Sequence, residues 1–379
     1  MTRSLLIVTD RPYLPDRAGG RESSMHDLAS LMQWSGHRVA VLAGSHPFST
    51  APLTIPGNRS VAELARRLSF NAIAGRVRFY ADRLTWSAPY AVLRERDVVK
   101  ALIGYLRDGV YERAILNVHR PDEFVRAAGD LAHRCVVYIR DVEELDVLDE
   151  RSFPADVPVV ANSEFCAAAV ARRIGRAVRV IEPFVERDRY LTRPTGRFVT
   201  YVNPVKVKGL ELAYGIARAC PEIPFLFLEG WPHSHELQRR LRELRRRSTN
   251  VTWRRRVRDM RPIYRATRVL LVPSQWQEAW GRVVVEAQFS GIPAVASRVG
   301  GLPGNVQEGG LLLGPDAPVE EWAQAVRRLW TDQAEYERRS TFARQRADAY
   351  WRTAASNALE LAAFFPPGSP VPGTRSTSS

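Results

Sequence analysis

The stretch RVLLVPSQWQEAWGRVVVEAQFSGIPAVAS, residues 268–297, reads as a strand, a loop, a helix and a second strand. RVLLVPS (268–274) and IPAVAS (292–297) are short β-branched runs, and the segment between them, 280–290, carries helical apolar spacing. Two strands joined through a helix pair in parallel, because an antiparallel pair needs only a tight turn. The unit is therefore a βαβ crossover, and the fold follows from whether it recurs.

It recurs in both directions. Towards the amino end the expected strands are SLLIVTD (4–10), RVAVLAG (38–44), RAILNVH (113–119), CVVYIRD (135–141) and VPVVANS (157–163), with helices at 22–35, 92–107, 121–134 and 163–174. The second half adds strands RFVTYVN (197–203), PFLFLEG (224–230), VTWRR (251–255) and GLLLGP (310–315), with helices at 209–220, 235–248, 260–267 and 318–331. EPFVERDRYLTRPTG (182–196), with two prolines and a glycine, fits a linker. Two helical stretches follow at 333–349 and 351–365, and PPGSPVPGTRSTSS (366–379) has too little apolar surface to fold. A chain of 379 residues exceeds one ordinary core, so the expected fold class is α/β, with two Rossmann-like doubly wound domains in tandem.

No apolar run approaches the roughly 20 residues that span a bilayer, and the apolar segment at the start is too short for a signal peptide. Cys135, Cys166 and Cys220 are scattered through apolar patterns, as structural thiols in a reducing cytoplasm are. The formal net charge of +14 attracts anions without choosing among them. RELRRRS (242–248) and WRRRVR (253–258) raise nucleic-acid binding, but they lack interleaved aromatics, and no specific nucleic-acid partner is expected. In 59–86, Val61, Leu64, Leu68, Ile73, Val77 and Leu84 fall at helical spacing among arginines, a pattern suited to a peripheral membrane contact or to packing on the chain itself.

Ligands of open α/β sheets bind beyond the carboxyl ends of the strands. Four such loops stand out. After the first strand, Gly19 and Gly20 lead into a helix, where backbone amides can approach a phosphate. After FVTYVN comes NPVKVKG (203–209), holding Lys206 and Lys208, two of the three lysines in a chain that otherwise uses arginine. A lysine is a compact charge on a flexible stem, suited to a diphosphate. The third loop holds Glu278 and, eight residues on, Glu286, with the amides of Trp280, Gly281, Arg282 and Val283 at the start of the intervening helix. Carboxylates up to roughly 12 Å apart can grip two ends of an extended ligand, and a nucleotide sugar fits that layout. The fourth, ASRVGGLPGNV (296–306), is a strand followed by a Gly-Gly turn. No Asp-x-Asp element or Cys/His cluster has metal spacing, so no metal and no cofactor are expected, and His233 and His235 read as surface residues.

With GGRESSMHDLASLMQWSGHRVAVLAG, VANSEFCAAAVARRIG, NPVKVKGLELA and EAWGRVVVEAQFSGIPAVASRVGGLP assembled, the sequence resembles the family 4 retaining glycosyltransferases of the GT-B fold. The resemblance implies an N-terminal acceptor-binding domain (1–181), the linker 182–196, a nucleotide-sugar-binding domain (197–350) and a helix at 351–365 crossing back to the first domain. It implies that Glu278 contacts the transferred sugar, Glu286 the ribose, Lys208 the diphosphate, and Gly19 and Gly20 the phosphates. It departs from the family at Asn203, where arginine is usual and Lys206 would compensate, at Arg140 in place of a histidine, and at Gly304 in place of a glutamate.

The function so implied is metal-independent, retaining transfer of a hexosyl-type sugar from a UDP- or GDP-linked donor to an acceptor hydroxyl. Arg140 and Asp141 lie on the acceptor side, and His119, at a strand end, is the candidate proton acceptor. The acceptor is either a lipid-linked or polysaccharide molecule of the cell envelope or a small secondary-metabolite scaffold. The expected location is cytoplasmic, with peripheral contact at the inner membrane face. A nucleotide-sugar-binding protein that does not transfer is the alternative.

Overall fold

The computed structural model describes residues 3–14, 19–45, 88–142, 148, 153–230 and 234–364. The basic stretch 59–86, His233 and the tail 366–379 lie outside the described residues. The chain divides into two compact units: Met1–Asn162 with Cys166–Phe184 and Ala355–Ser379, and Ser163–Phe165 with Val185–Ala354.

The first unit holds strands β1 (Ser4–Thr9), β2 (Arg38–Gly44), β3 (Ala91–Glu95), β4 (Arg113–Leu116), β5 (Cys135–Ile139), β6 (Val159–Ala161) and β7 (Arg179–Val180). They form one parallel sheet in the order β3-β2-β1-β4-β5-β6-β7. Leu5, Leu6, Ile7 and Val8 are all buried, which a strand achieves only when both faces of its sheet are covered. The strand order reverses between β1 and β4.

The expected helix 92–107 is instead β3 followed by a helix at Val98–Arg107, whose N-cap Asp97 accepts from the Lys100 amide at 2.9 Å. Arg94 explains the difference. Its side chain is buried in the strand and donates to the Leu14 carbonyl at 2.7 Å, whereas a sequence reader places arginine outside. The two-residue β7 is likewise a strand that the sequence did not announce.

The second unit holds β8 (Phe198–Val202), β9 (Phe225–Leu228), β10 (Val251–Arg254), β11 (Thr267–Val272), β12 (Ala294–Ser297) and β13 (Gly310–Leu313), parallel in the order β10-β9-β8-β11-β12-β13. Alternation along β9 shows two cores. Phe225 and Phe227 join the main cluster with Tyr201, Leu241, Leu271 and Trp322, while Leu226 and Leu228 pack with Ile263 on the other face. Here the order reverses between β8 and β11. At the far edge, β10 buries its residues only in part, leaving Thr252 and Arg254 exposed, and the Arg245 guanidinium lies 5.2 Å over the Trp253 ring.

The two helical stretches expected at 333–349 and 351–365 are one helix, Gln333–Ala363. No glycine or proline interrupts 333–363, so nothing in that segment can break it. The division between the units falls within this helix, after Ala354. From Ala355 on it belongs to the first unit, where Glu360 pairs with Arg179. No helix among the described residues is long and apolar enough to cross a membrane.

Candidate functional site

In the second unit the strand order reverses between β8 and β11, and a crevice opens at the carboxyl ends of an open sheet where that happens. The loop after β8 carries Lys208 and the loop after β11 carries Glu278. The fold thus joins residues seventy positions apart: Lys208 Nζ donates to Glu278 Oε1 at 2.6 Å. Ser274 Oγ donates to the same oxygen at 2.7 Å. The pair is mostly but not wholly buried, with side chains 20% and 13% exposed.

Backbone geometry fixes both partners. Lys206–Lys208 form a 3₁₀ turn, and Gly209 follows in the left-handed region at φ 80°. A Cβ at Gly209 would stand 1.9 Å from the Pro273 carbonyl oxygen, so only glycine lets the two loops meet there. The Gln275 amide donates to the Val207 carbonyl at 3.0 Å, closing the contact. Tyr201 donates its hydroxyl to the Lys208 carbonyl at 3.0 Å. Burial, and then the charge of Glu278, push that phenol well above its usual range, so it stays a donor. From the other side, the Gly301 amide donates to the Glu278 carbonyl at 2.6 Å and the Gly300 amide to Gln277 Oε1 at 2.7 Å. The Gly-Gly turn of 296–306 is therefore a brace for Glu278, and its chain continues into a short helix, Leu302–Val306. Gly304 has open space around it.

Glu286, the expected ribose ligand, is itself bonded within the second unit. It lies in the helix Arg282–Gln288 with both oxygens engaged: Oε1 takes Arg282 Nε at 2.6 Å and Oε2 takes the Tyr264 hydroxyl at 2.7 Å. Arg282 and Glu286 side chains are each 8% exposed, and Arg282 also donates to the Tyr190 hydroxyl at 2.8 Å. A carboxylate facing inward and held by two protein donors is first a strut of the fold. Trp280 is also internal, packed against Tyr350 with ring centroids 5.8 Å apart, so its indole belongs to the core. Gly281, at φ 84°, caps the helix, and its Cβ position would collide with Leu302. Val283 is half-buried on the first turn.

Asn203 closes β8 in the left-handed region at φ 66° with its side chain buried, a turn-forming place that asparagine tolerates well. Lys206 is exposed, and its side chain makes no hydrogen bond or ion pair among the described residues.

The first unit assembles its own cluster where β1 and β4 diverge. Gly19 is extended, and Gly20 opens the helix Gly20–Trp34. Arg21, next in sequence, donates to Asn117 Oδ1 at 3.1 Å, to the Asn117 carbonyl at 2.7 Å and to Asp141 Oδ2 at 3.0 Å. His119 is half-buried; its amide donates to Asp10 Oδ2 at 3.0 Å and its Nδ1 lies 3.4 Å from Arg11. Arg140 is buried, with its guanidinium 5.2 Å over the Tyr138 ring. Among the described residues no group of three or more His, Cys, Asp or Glu is placed to hold a metal ion.

Ser274, Tyr264, Arg21 and Asn117 escaped the sequence reading. The signal for Ser274 was its position four residues before Glu278, and for Arg21 its place directly after the glycine pair. Tyr264 had none, because it reaches Glu286 from a separate helix.

Residues 216–332 match the family model described as Glycosyl transferases group 1. The D-inositol 3-phosphate glycosyltransferase of Corynebacterium diphtheriae is 38% identical over 122 residues, covering 30% of this chain and 28% of that protein. That of Saccharomonospora viridis is 47% identical over 73 residues, 19% of this chain and 16% of that protein. The chain thus spans less than a third of the length of the curated relatives it matches. Among solved structures, Anabaena Alr3699/HepE in complex with UDP-glucose superposes with a TM-score of 0.67 at 18% identity, over 95% of this chain and 98% of the other. The sucrose-phosphate synthase of Thermosynechococcus elongatus gives 0.71 at 18% identity, over 96% and 98%. The chain has the α/β fold of the GT-B glycosyltransferases, and residues 216–332 of its second unit match the Glycosyl transferases group 1 model.

Proposed function

We propose that the chain is a glycosyltransferase that moves a hexosyl-type sugar from a nucleoside-diphosphate donor to an acceptor hydroxyl, with retention at the anomeric carbon and without a metal ion. The observation that carries this reading is the Lys208–Glu278–Ser274 cluster at the switch point of the second unit. Lys208 gives one of its three N–H groups to Glu278, and its ammonium charge attracts phosphate oxygens. Among the described residues Glu278 receives its donors, Lys208 and Ser274, on Oε1, so Oε2 remains to accept hydroxyls of a hexose. One cluster thereby offers a cation to a leaving diphosphate and an anion to the sugar it leaves.

When the bond from the anomeric carbon to the diphosphate oxygen breaks, the electron pair stays on the diphosphate. Lys208, held in place before that charge appears, stabilises it without reorganisation. The new bond forms from the acceptor oxygen, whose proton has a candidate acceptor in His119. The likeness to a protein crystallised with UDP-glucose supports a UDP-linked donor, and the relatives' names support a polar cyclic acceptor. A cell-envelope acceptor, a peripheral membrane contact and a cytoplasmic location belong to the same proposal.

The alternative is a protein of the same fold that binds the donor without transferring. Incubation with UDP- and GDP-sugars in EDTA separates the two. Release of free nucleoside diphosphate, by transfer or slow hydrolysis, is expected, and it should be lost in Lys208→Met. Tight donor binding with no release would establish the inert binder instead.

A further inference from the structure

Away from the Lys208–Glu278 cluster, a cavity of about 460 Å³ opens between the helices Leu210–Ala219 and His235–Arg247. That volume lies within the range of about 300–1,000 Å³ typical of small-molecule sites. Its lining includes Arg218, Arg240 and Arg247 against a single carboxylate, Glu211, with Tyr214 and Leu244 on its walls. The buried Leu244 and nearly buried Tyr214 supply apolar wall, so the rim is where the charge collects.

The three guanidinium groups are not equivalent. Arg240 is locked: Nε and Nη2 fork onto the two oxygens of Glu211 at 2.8 and 2.6 Å, and Nη1 reaches Glu243 at 2.8 Å. A guanidinium has five N–H groups, so Arg240 keeps two while its plane is held fixed. The same fork neutralises Glu211, which removes the repulsion that a bare carboxylate would present to an anion. Arg247 is 69% exposed and pairs with Glu243 at 3.2 Å. Arg218 is exposed, and its side chain makes no hydrogen bond or ion pair among the described residues. One fixed fork flanked by two available ones suits a tetrahedral oxyanion with several acceptor oxygens.

We infer that this pocket is a second ligand site, for a small molecule bearing a phosphate or diphosphate group, separate from the Lys208–Glu278 cluster. Bound there, the anion bridges the two helices that wall the cavity. Arg218 lies eight residues along its helix from Leu210, roughly 12 Å by helical rise. The helix itself starts beside Lys208, so occupancy braces the element behind the cluster.

Inorganic pyrophosphate is the probe, titrated by calorimetry against the full chain. Arg218→Ala/Arg247→Ala should remove one binding event, or weaken it at least about tenfold, while Lys208→Met leaves that event intact. Failure of the transferase reading would show differently, as a single event insensitive to Lys208→Met and still lost in the arginine double variant. Both arginines are exposed, so the variant should melt as the wild type does. As a check that needs no variant, phenylglyoxal labelling of Arg218 in the native chain, read by peptide mass spectrometry, should slow in pyrophosphate. Absence of pyrophosphate binding, an isotherm unchanged by the double variant, or labelling indifferent to pyrophosphate would each overturn the inference.

Discussion

Lys208→Met removes a charge while keeping an unbranched stem of similar length, and so isolates what the ion pair contributes. The bond to Glu278 is 2.6 Å long, and the side chains are 20% and 13% exposed. Stripping one partner from a fully buried pair costs about 3–5 kcal/mol, and a hydrogen bond to a charged group contributes about 1.5–3 kcal/mol. Partial exposure softens the penalty, and Ser274 stays on Glu278 Oε1, so a loss of about 2 kcal/mol is expected. For a unit of this size each kcal/mol moves Tm by about 2–4 °C, which puts the fall at about 4–8 °C. Scanning calorimetry on Lys208→Met, Glu278→Gln and the double variant completes a cycle with an expected coupling of about 1–2 kcal/mol. Additive losses, within about 0.5 kcal/mol, would refute the idea that the two side chains hold each other. In turnover, the same Lys208 variant should lose about 10²–10³ in kcat, with a smaller loss in nucleoside-diphosphate affinity, because its charge matters most as the bond breaks.

Other expectations follow from single contacts. Gly300→Ala places a methyl group 2.1 Å from the Glu278 carbonyl oxygen at a positive φ, so activity and Tm should fall together, and a fully active variant would show that the Gly-Gly turn does not brace Glu278. Glu286→Ala leaves Arg282 buried opposite a void and should cost about 3–5 kcal/mol of stability; an unchanged Tm would contradict its role as a strut. Burial pushes the Cys135 thiol up to about 12. The folded state therefore keeps a proton that the unfolded chain gives up near pH 8.5, and stability should decline from there towards pH 12, less steeply in Cys135→Ala. A wild-type slope identical to the variant's would remove Cys135 from that account.

Much of this molecule could be read before it was seen, and the failures share a cause. Strands such as β1, β5 and β11 stand out because sheets covered on both faces demand continuous apolar runs. The positions of Lys208 and Glu278 were legible because both follow such strands, although their contact was not, since strand order joins them and sequence does not state strand order. β3 was lost to Arg94, a buried cation that looks like a surface residue until its carbonyl partner is known. The contacts of Glu286 were hidden for the same reason: its donors, Arg282 and Tyr264, come from its own turn and from a separate helix. Spacing reports which residues can meet, while orientation depends on partners that spacing does not reveal.

The edge strand β10 gives the arginine-rich segment that follows it another meaning. An open sheet edge offers unpaired amides and carbonyls to any second strand, and that is how folded proteins begin to aggregate. Along this edge Arg254 is exposed, and Arg255 and Arg256 extend the run directly beyond the strand. A second copy docking here would have to bring matching cations together. What reads in sequence as a lure for polyanions is, at the end of a parallel sheet, a guard that keeps each copy from adding to the next.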